Sequence, residues 1–452
     1  MTSLKLVSGK NPRQIAFGVL VSRRQNGAFT ESLLDRALTT PGKGQTDTMS
    51  SADRSLCQEL VYGVVRAQAA LDWLIDQKTG GRRQNNGIQN ILRLGLYQVF
   101  WLDRIPPHAA IHETVELAKR EGFGPNAGFV NAILRGYLRE FDSTKRILAE
   151  LKETHPAIAF SHPPWLVEKW GKQFGPGQTR RLLEWNNRPP RIFARVNTLK
   201  TDAGKLLERW RAENVEYDFV RSAFLLSRSR NQTDLETVIF ELGTHPPLAS
   251  LGSFREGWFY IQDPSTLLAP LELAPIAAES ILDLCAAPGG KATFMAQLMG
   301  NTGKIIALDT SKERLKLLEE NCARLGAMNV DCGLRTSESP GNSRKFDKIL
   351  IDAPCSNSGV MRRRIDLRWR ISPAELARLQ QAQLDLLKAA APNLKPGGVL
   401  IYSTCSLESE ENAAVVQEFL RTDKTFKLER ECELLPFRDN TDGAFVARLL
   451  KQ

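Results

Sequence analysis

The stretch SILDLCAAPGGK, residues 280–291, decides the fold. Its first half is an apolar run of the kind that fills a strand buried on both faces. Its second half is small and glycine-rich, so that the backbone can come close to a ligand. Three more apolar runs follow: KIIALD (304–309), KILIDA (348–353) and GVLIYST (398–404). Helical stretches separate them. The clearest, SPAELARLQQAQLDLLKAAA, starts with Ser372 as N-cap, Pro373 at the first helical position and Glu375 at the third, which predicts a capping box. The glycines of LKPGG (394–398) are expected to stop that helix before the next strand. Strands alternating with helices of this length predict an α/β doubly wound, Rossmann-like domain over 256–452.

Upstream the texture differs. The first third reads as a compact all-helical bundle, residues 1–147. Ile88, Ile91, Leu92, Gly95 and Leu96 recur at helical spacing, as do Leu56, Leu60, Val61 and Val64. Breakers such as KTGG (78–81), RIPP (104–107) and REGFGPN (120–126) fall between the patterns. Residues 148–255 read as a linker, marked by SHPPW (161–165) and NNRPP (186–190), followed by a small α+β module. In that module the β-like runs IFARVNTL (192–199) and AFLLSR (223–228) flank the helical AGKLLERWRAEN (203–214).

Composition bounds the function. A chain of 452 residues with 42% apolar content builds several cores, and it has neither an apolar run near 18 residues nor a signal-peptide start, so a cytoplasmic protein without a membrane span is expected. Seven cysteines without a C-x-x-C pair or a Cys/His cluster argue against a disulfide framework and against a metal site. The net charge of +10 suits a polyanionic partner such as RNA. Residues 1–147 hold about 20 Lys and Arg against about 13 Asp and Glu, so much of the excess lies there.

In an open parallel sheet, ligands bind beyond the carboxyl ends of the strands. After the first strand comes Cys285, Ala286, Ala287, Pro288, Gly289, Gly290 and Lys291, which is neither a dinucleotide fingerprint nor a phosphate loop. The second strand ends in Asp309, where a carboxylate accepts hydrogen bonds from ribose hydroxyls. The last two runs are followed by Cys355 and Cys405, which face one pocket if their strands are neighbours. All five histidines precede residue 246, so a thiol activated by histidine is not expected in this domain. Thiols without histidine suit methylation at cytosine C5. A thiolate adds to C6, C5 attacks an electrophilic methyl, the C5 proton leaves and the thiolate is eliminated. Two cysteines and Asp352 supply the parts.

At these residues the sequence resembles a known family. DLCAAPGGK, DAPCS, STCS and DGAFVARL (442–449) together resemble the RNA cytosine-5 methyltransferases that use S-adenosylmethionine. RVNTLK (195–200) and YIQDPST (260–266) resemble the family's approach to its catalytic domain. The helical third, with AGFVNAILR (127–135), is similar to the NusB-like RNA-binding domain of the Sun/Fmu (RsmB-like) branch, which acts on 16S ribosomal RNA. The resemblance implies Cys405 as nucleophile, Cys355 as an aid to elimination, and Asp352 beside both the cytosine and the cofactor. It also implies a cofactor loop at 285–291 and a ribose contact at Asp309. RNA is the implied partner, with the chain acting as a monomer. Two departures stand out. Arg335, Thr336 or Ser337 occupies the place of the family's usual acidic adenine contact, and Asn357 stands where glycine is commoner. The basic run MRRRIDLRWR (361–370) is expected to contact phosphate, with Trp369 either stacking on a base or packing in the protein. The competing readings are the same chemistry on transfer RNA and a non-catalytic RNA-binding assembly factor.

Overall fold

The computed structural model describes residues 11–25, 28–39, 49–220, 239–336 and 344–452. By its contacts the chain forms two units, residues 1–188 with 364–370, and residues 189–363 with 371–452.

The first unit is helical throughout. Its central helix, Asn86–Trp101, is buried on nearly every side, as expected of a helix whose apolar residues run around its whole circumference. Helices Pro12–Gln25, Thr30–Thr39, Ser51–Arg66, Gln68–Thr79, Pro107–Ala118 and Ala127–Arg139 supply most of the rest of the main core. The expected limit at 147 falls inside helix Phe141–Thr154, and helices continue through Pro164–Phe174 and Pro176–Asn187. Both of these begin with proline at the first helical position, where its missing N–H has no partner to lose. Pro164 of SHPPW, read as a linker signal, is therefore a helix start, whereas Pro189 and Pro190 of NNRPP do stand between the end of helix Pro176–Asn187 and the strand that follows. Trp170 within the first of them is fully buried.

The second unit opens with a four-stranded antiparallel sheet in the order β2-β3-β1-β4. Its strands are β1 (Ile192–Val196), β2 (Tyr217–Phe219), β3 (Ile239–Leu242) and β4 (Phe259–Ile261). The expected strand AFLLSR lies outside the described residues, and β4 extends this module past the limit drawn at 255. The expected helix, Ala203–Ala212, is capped by Asp202, whose carboxylate accepts from the Lys205 N–H at 2.9 Å. Its Trp210 packs edge-on against Phe240 and Phe259.

The larger sheet has the order β10-β11-β9-β8-β5-β6-β7. The strands are β5 (Ser280–Asp283), β6 (Lys304–Asp309), β7 (Val330–Leu334), β8 (Phe346–Asp352), β9 (Leu394–Thr404), β10 (Phe426–Leu434) and β11 (Ala444–Lys451). Five run parallel, while β11 pairs antiparallel with β9 and β10 antiparallel with β11. The doubly wound expectation holds for β5 to β9 and misses the antiparallel end. β10 reads FKLERECEL and is largely exposed, because an edge strand carries charge on its solvent side and shows no apolar run.

The helix over 373–390 is capped by Ser372, whose hydroxyl accepts from the Glu375 N–H at 3.3 Å. The capping box is only half formed. The Glu375 carboxylate turns to Arg378 instead of reaching back to the cap. LKPGG is not a helix stop either. The helix ends before Pro392, and LKPGG opens β9 as an irregular segment that lets Leu394 pair with Phe346 and Val399 with Lys348.

Candidate active site

The loop after β5 is tied to the neighbouring strands through its backbone. Leu284 donates to Leu350 O at 3.1 Å and Ala286 to Leu308 O at 2.9 Å. Gly289 has φ +107, and a Cβ there would stand 2.8 Å from the Leu318 side chain, so both conformation and space require glycine. Asp309 is 2% exposed, accepting from Ala287 N at 3.2 Å and Ser311 N at 3.1 Å, with the Arg314 guanidinium 3.6 Å away. It thus stands at a strand end, as expected, and fastens the glycine loop from below. Cys285 is an inert thiol, its pKa pushed up to about 12 by burial.

Sequence reasoning passed over Asp283. This carboxylate at the end of β5 is fully buried, and apart from a poorly aligned approach of the Cys285 N–H neither oxygen has a hydrogen-bond partner. Burial and then the charge of Asp352 push its pKa up to about 7, although Lys291 pulls the other way. An orphaned acid beneath a glycine loop fits a ligand that brings a cationic group. In place of the expected acid after β7, Arg335 points back to β5, donating to Leu284 O at 3.3 Å and lying 3.5 Å from the Cys285 sulfur. Thr336 is exposed, and Ser337 lies outside the described residues.

β8 and β9 are parallel neighbours with Asp352 opposite Ser403, so the loops after them converge. Cys355 Sγ and Cys405 Sγ stand 3.5 Å apart. The Cys405 thiol donates to Asn357 Oδ1 at 3.1 Å. Asn357 has φ 58, a left-handed conformation that asparagine tolerates almost as readily as glycine, and its amide donates to Cys355 O at 2.7 Å. The substitution at 357 therefore keeps the turn and adds a side chain that holds a thiol. Asp352 meets Lys291 Nζ at 2.6 Å and accepts from the Ser403 hydroxyl at 3.2 Å. Burial opposes the Lys291 charge, but Asp352, its hydrogen bond and Cys405 outweigh it and raise the lysine pKa. Cys355 titrates well above an ordinary thiol, first through its hydrogen bond with Cys405 and then through burial. The structure thus gathers Cys355, Cys405, Asp352 and Lys291 in one place, in a domain whose sequence has no histidine.

The motifs flanking the cysteines explain themselves structurally. Asp263 from YIQDPST and Asp442 from DGAFVARL share Arg362 and Arg363. Arg362 meets Asp442 at 2.7 Å and Asp263 at 3.3 Å, and Arg363 meets them at 2.5 and 2.8 Å. Gly359 N donates to Cys405 O at 2.9 Å, and a Cβ on Gly359 would lie 2.7 Å from that oxygen and 2.8 Å from Gly443 Cα. Only glycine permits that approach. The expectation of phosphate contact from the basic run is corrected by these pairings. Within the helical unit, Arg368 is buried and donates to Asn186 O and the Asn187 side chain, Arg370 donates to Ala28 O, and Trp369 donates to Val65 O and packs on the helical core. Most of the run satisfies internal carbonyls and carboxylates, while Arg364 is exposed beside Glu31. Among the described residues there is no cluster that could hold a metal ion, and no helix is long and apolar enough to cross a membrane.

The chain matches three protein families. Residues 10–139 match the NusB family, 162–232 the ferredoxin-like domain of RsmF/B-like methyltransferases, and 270–450 the 16S rRNA methyltransferase RsmB/F family. A protein of Bacillus subtilis described as a probable ribosomal RNA small subunit methyltransferase B is 33% identical, with 97% of this chain and 98% of that protein aligned. The Synechocystis protein of the same description is 35% identical over 97% and 99%. Ribosomal RNA small subunit methyltransferase B of Escherichia coli is 34% identical over 89% and 92%. Among solved structures, NSun6 from Pyrococcus horikoshii with SFG has 27% identity and a TM-score of 0.55, covering 64% of this chain and 98% of that one. A methyltransferase homologue from the same organism has 29% identity and a TM-score of 0.53 over 64% and 100%.

Proposed function

This chain belongs to the 16S rRNA methyltransferase RsmB/F family, and we propose that it methylates C5 of a cytosine in small-subunit ribosomal RNA through a covalent bond between Cys405 and C6. The observation that carries this reading is the thiol pair, 3.5 Å apart on neighbouring strand ends beside the Asp352–Lys291 ion pair. S-adenosylmethionine, the cofactor of this enzyme class, supplies the methyl group. The residues that would hold it are the loop from Cys285 to Lys291, with Asp309 for its ribose and Asp283 and Asp352 toward its amino-acid end.

The chain's own residues do the rest. Cys405, the more exposed of the two thiols, adds its sulfur to C6 and so makes C5 nucleophilic. Asp352 passes the proton lost by the attacking thiol to N3 of the ring and then accepts the resulting N3–H, a role that its hold by Lys291 and Ser403 supports. Once C5 carries the methyl group, a water molecule takes the C5 proton, the C5–H electrons form the C5=C6 double bond, and the C6–S bond breaks so that Cys405 leaves as thiolate. Cys355, in hydrogen-bond contact with that sulfur, assists the departure. The helical unit, with its NusB match and basic surplus, is assigned to RNA affinity, in a cytoplasmic monomer. All seven cysteines are free, as a reducing compartment requires.

Bisulfite mapping of small-subunit ribosomal RNA from cells with and without the gene tests the substrate, and one protected cytosine that depends on the gene is expected. A protected cytosine in transfer RNA instead would move the activity there. In vitro, Cys405→Ala should abolish transfer, whereas Cys355→Ala should accumulate an RNA–protein adduct on denaturing gels. The opposite pattern would make Cys355 the nucleophile.

A further inference from the structure

Two thiols on separate loops stay in contact only if something fixes the loops to each other. The residue that does so is Glu411, which is fully buried. One carboxylate oxygen accepts from Ser356 N at 2.8 Å and from Gln383 Nε2 at 3.0 Å. The other accepts from the hydroxyls of Ser356 and Ser406, each at 2.5 Å. Ser356 follows Cys355 and Ser406 follows Cys405, so one carboxylate grips the residue next to each thiol. Its own backbone is anchored too, since the Tyr402 hydroxyl donates to Glu411 O at 2.5 Å. Gln383 extends the brace by donating also to Pro354 O at 2.9 Å, on the other side of Cys355.

We propose that Glu411 is a positioning residue of the two-thiol site, clamping the Cys355 loop to the Cys405 loop so that attack and release act on one carbon. The proposal rests on the reading that these two thiols perform the chemistry. The carboxylate is satisfied by four neutral donors, and its charge acts unequally on its surroundings. It faces Cys355 and adds to the effects that keep this thiol protonated. The other titratable groups facing Cys355 are Cys405 and Tyr402, and Tyr402 is itself held well above its usual pKa by burial and then by Cys355 and Glu411. On the opposite side, Cys405 faces the Lys291 ammonium paired with Asp352. The clamp therefore sets the electrostatic difference between the thiols as well as their spacing.

The test uses full-length protein carrying Glu411→Gln, which preserves shape and removes charge. At saturating S-adenosylmethionine the expected result is a fall in kcat for cytosine methylation of at least tenfold, with KM for RNA and Kd for S-adenosylmethionine within twofold of wild type. In a Cys405→Ala background, alkylation of Cys355 by iodoacetamide, followed peptide by peptide in a mass spectrometer, should move its midpoint to lower pH by about one unit. The double variant Ser356→Ala/Ser406→Ala removes bonds but keeps the charge. It should lower kcat without moving that midpoint, a split that simple loosening of the fold does not produce. Wild-type kcat in Glu411→Gln, or an unmoved alkylation midpoint, overturns the proposal. Should Glu411→Gln lose cofactor binding, the double serine variant decides, and unchanged kcat there overturns the clamp. Failure of the underlying reading shows separately, as methylation that survives Cys405→Ala, because the alkylation midpoint does not depend on turnover.

Discussion

At the scale of single residues, two acids near the glycine loop carry opposite expectations. Asp283 has a folded pKa near 7 against an unfolded value of 3.8, so between about pH 4 and 7 the folded state holds a proton that the unfolded chain has released. Stability contributed by that proton is present at low pH and lost as pH rises through 7. Asp442, raised to about 6 by burial and by Asp263, acts in the same direction over a narrower window. Asp283→Asn should therefore reduce the drop in melting temperature between pH 5 and 7.5, a change worth on the order of 1–4 kcal/mol. An undiminished drop would place the titration elsewhere. Asp309 already spends two acceptor positions on Ala287 N and Ser311 N, so its replacement loosens the loop as well as removing the proposed ribose contact. Asp309→Ala should weaken S-adenosylmethionine binding at least about tenfold by calorimetry, the cost of a charge-assisted hydrogen bond. Unchanged affinity would mean that the ribose is held by other groups.

At the scale of elements, the quartet of Arg362, Arg363, Asp263 and Asp442 joins three segments far apart in sequence. Both aspartates and Arg362 are nearly inaccessible, so removing one partner leaves uncompensated charge in a dry site. Asp263→Ala is expected to cost about 3–5 kcal/mol, read as a large fall in melting temperature, whereas the exposed pair Arg421–Glu418 should be almost indifferent to removal. Equal effects from both would show that the buried network does not brace the site. The same elements show why motifs could be recognised by resemblance before their work was visible. YIQDPST and DGAFVARL supply the two acids of one network, and PCS and TCS supply the two serines that Glu411 grips.

At the scale of the whole molecule, the assigned division of labour gives a test that leaves the fold intact. Arg82, Arg83 and Arg120 are exposed on the helical unit. Replacing all three with glutamine should weaken RNA binding and flatten its salt dependence by about 0.7 log units for each phosphate left without a cationic partner. Affinity for S-adenosylmethionine should not change, since its candidate residues belong to the other unit. An unchanged salt slope would move RNA recognition away from these arginines.

The sequence by itself determined what depends on local chemistry. Apolar runs marked β5, β6, β8 and β9, helical spacing marked Ser51–Arg66 and Asn86–Trp101, and strand ends marked Asp309, Asp352, Cys355 and Cys405. These features are legible because burial on both faces or along one stripe imposes a residue pattern on contiguous chain. Tertiary structure alone decided the rest. Prolines 164 and 176 begin helices because the chain there is packed, and β10 joins the sheet because β11 offers it an edge. Arg362, Arg363 and Arg368 turn inward because carboxylates and carbonyls distant in sequence wait for them. Asp283 and Glu411 escaped attention for the same reason, and Asn357 was noted only as a departure without its hold on Cys405. An acid or amide has no period, and what it does is set by the groups that folding brings within about 3 Å of it.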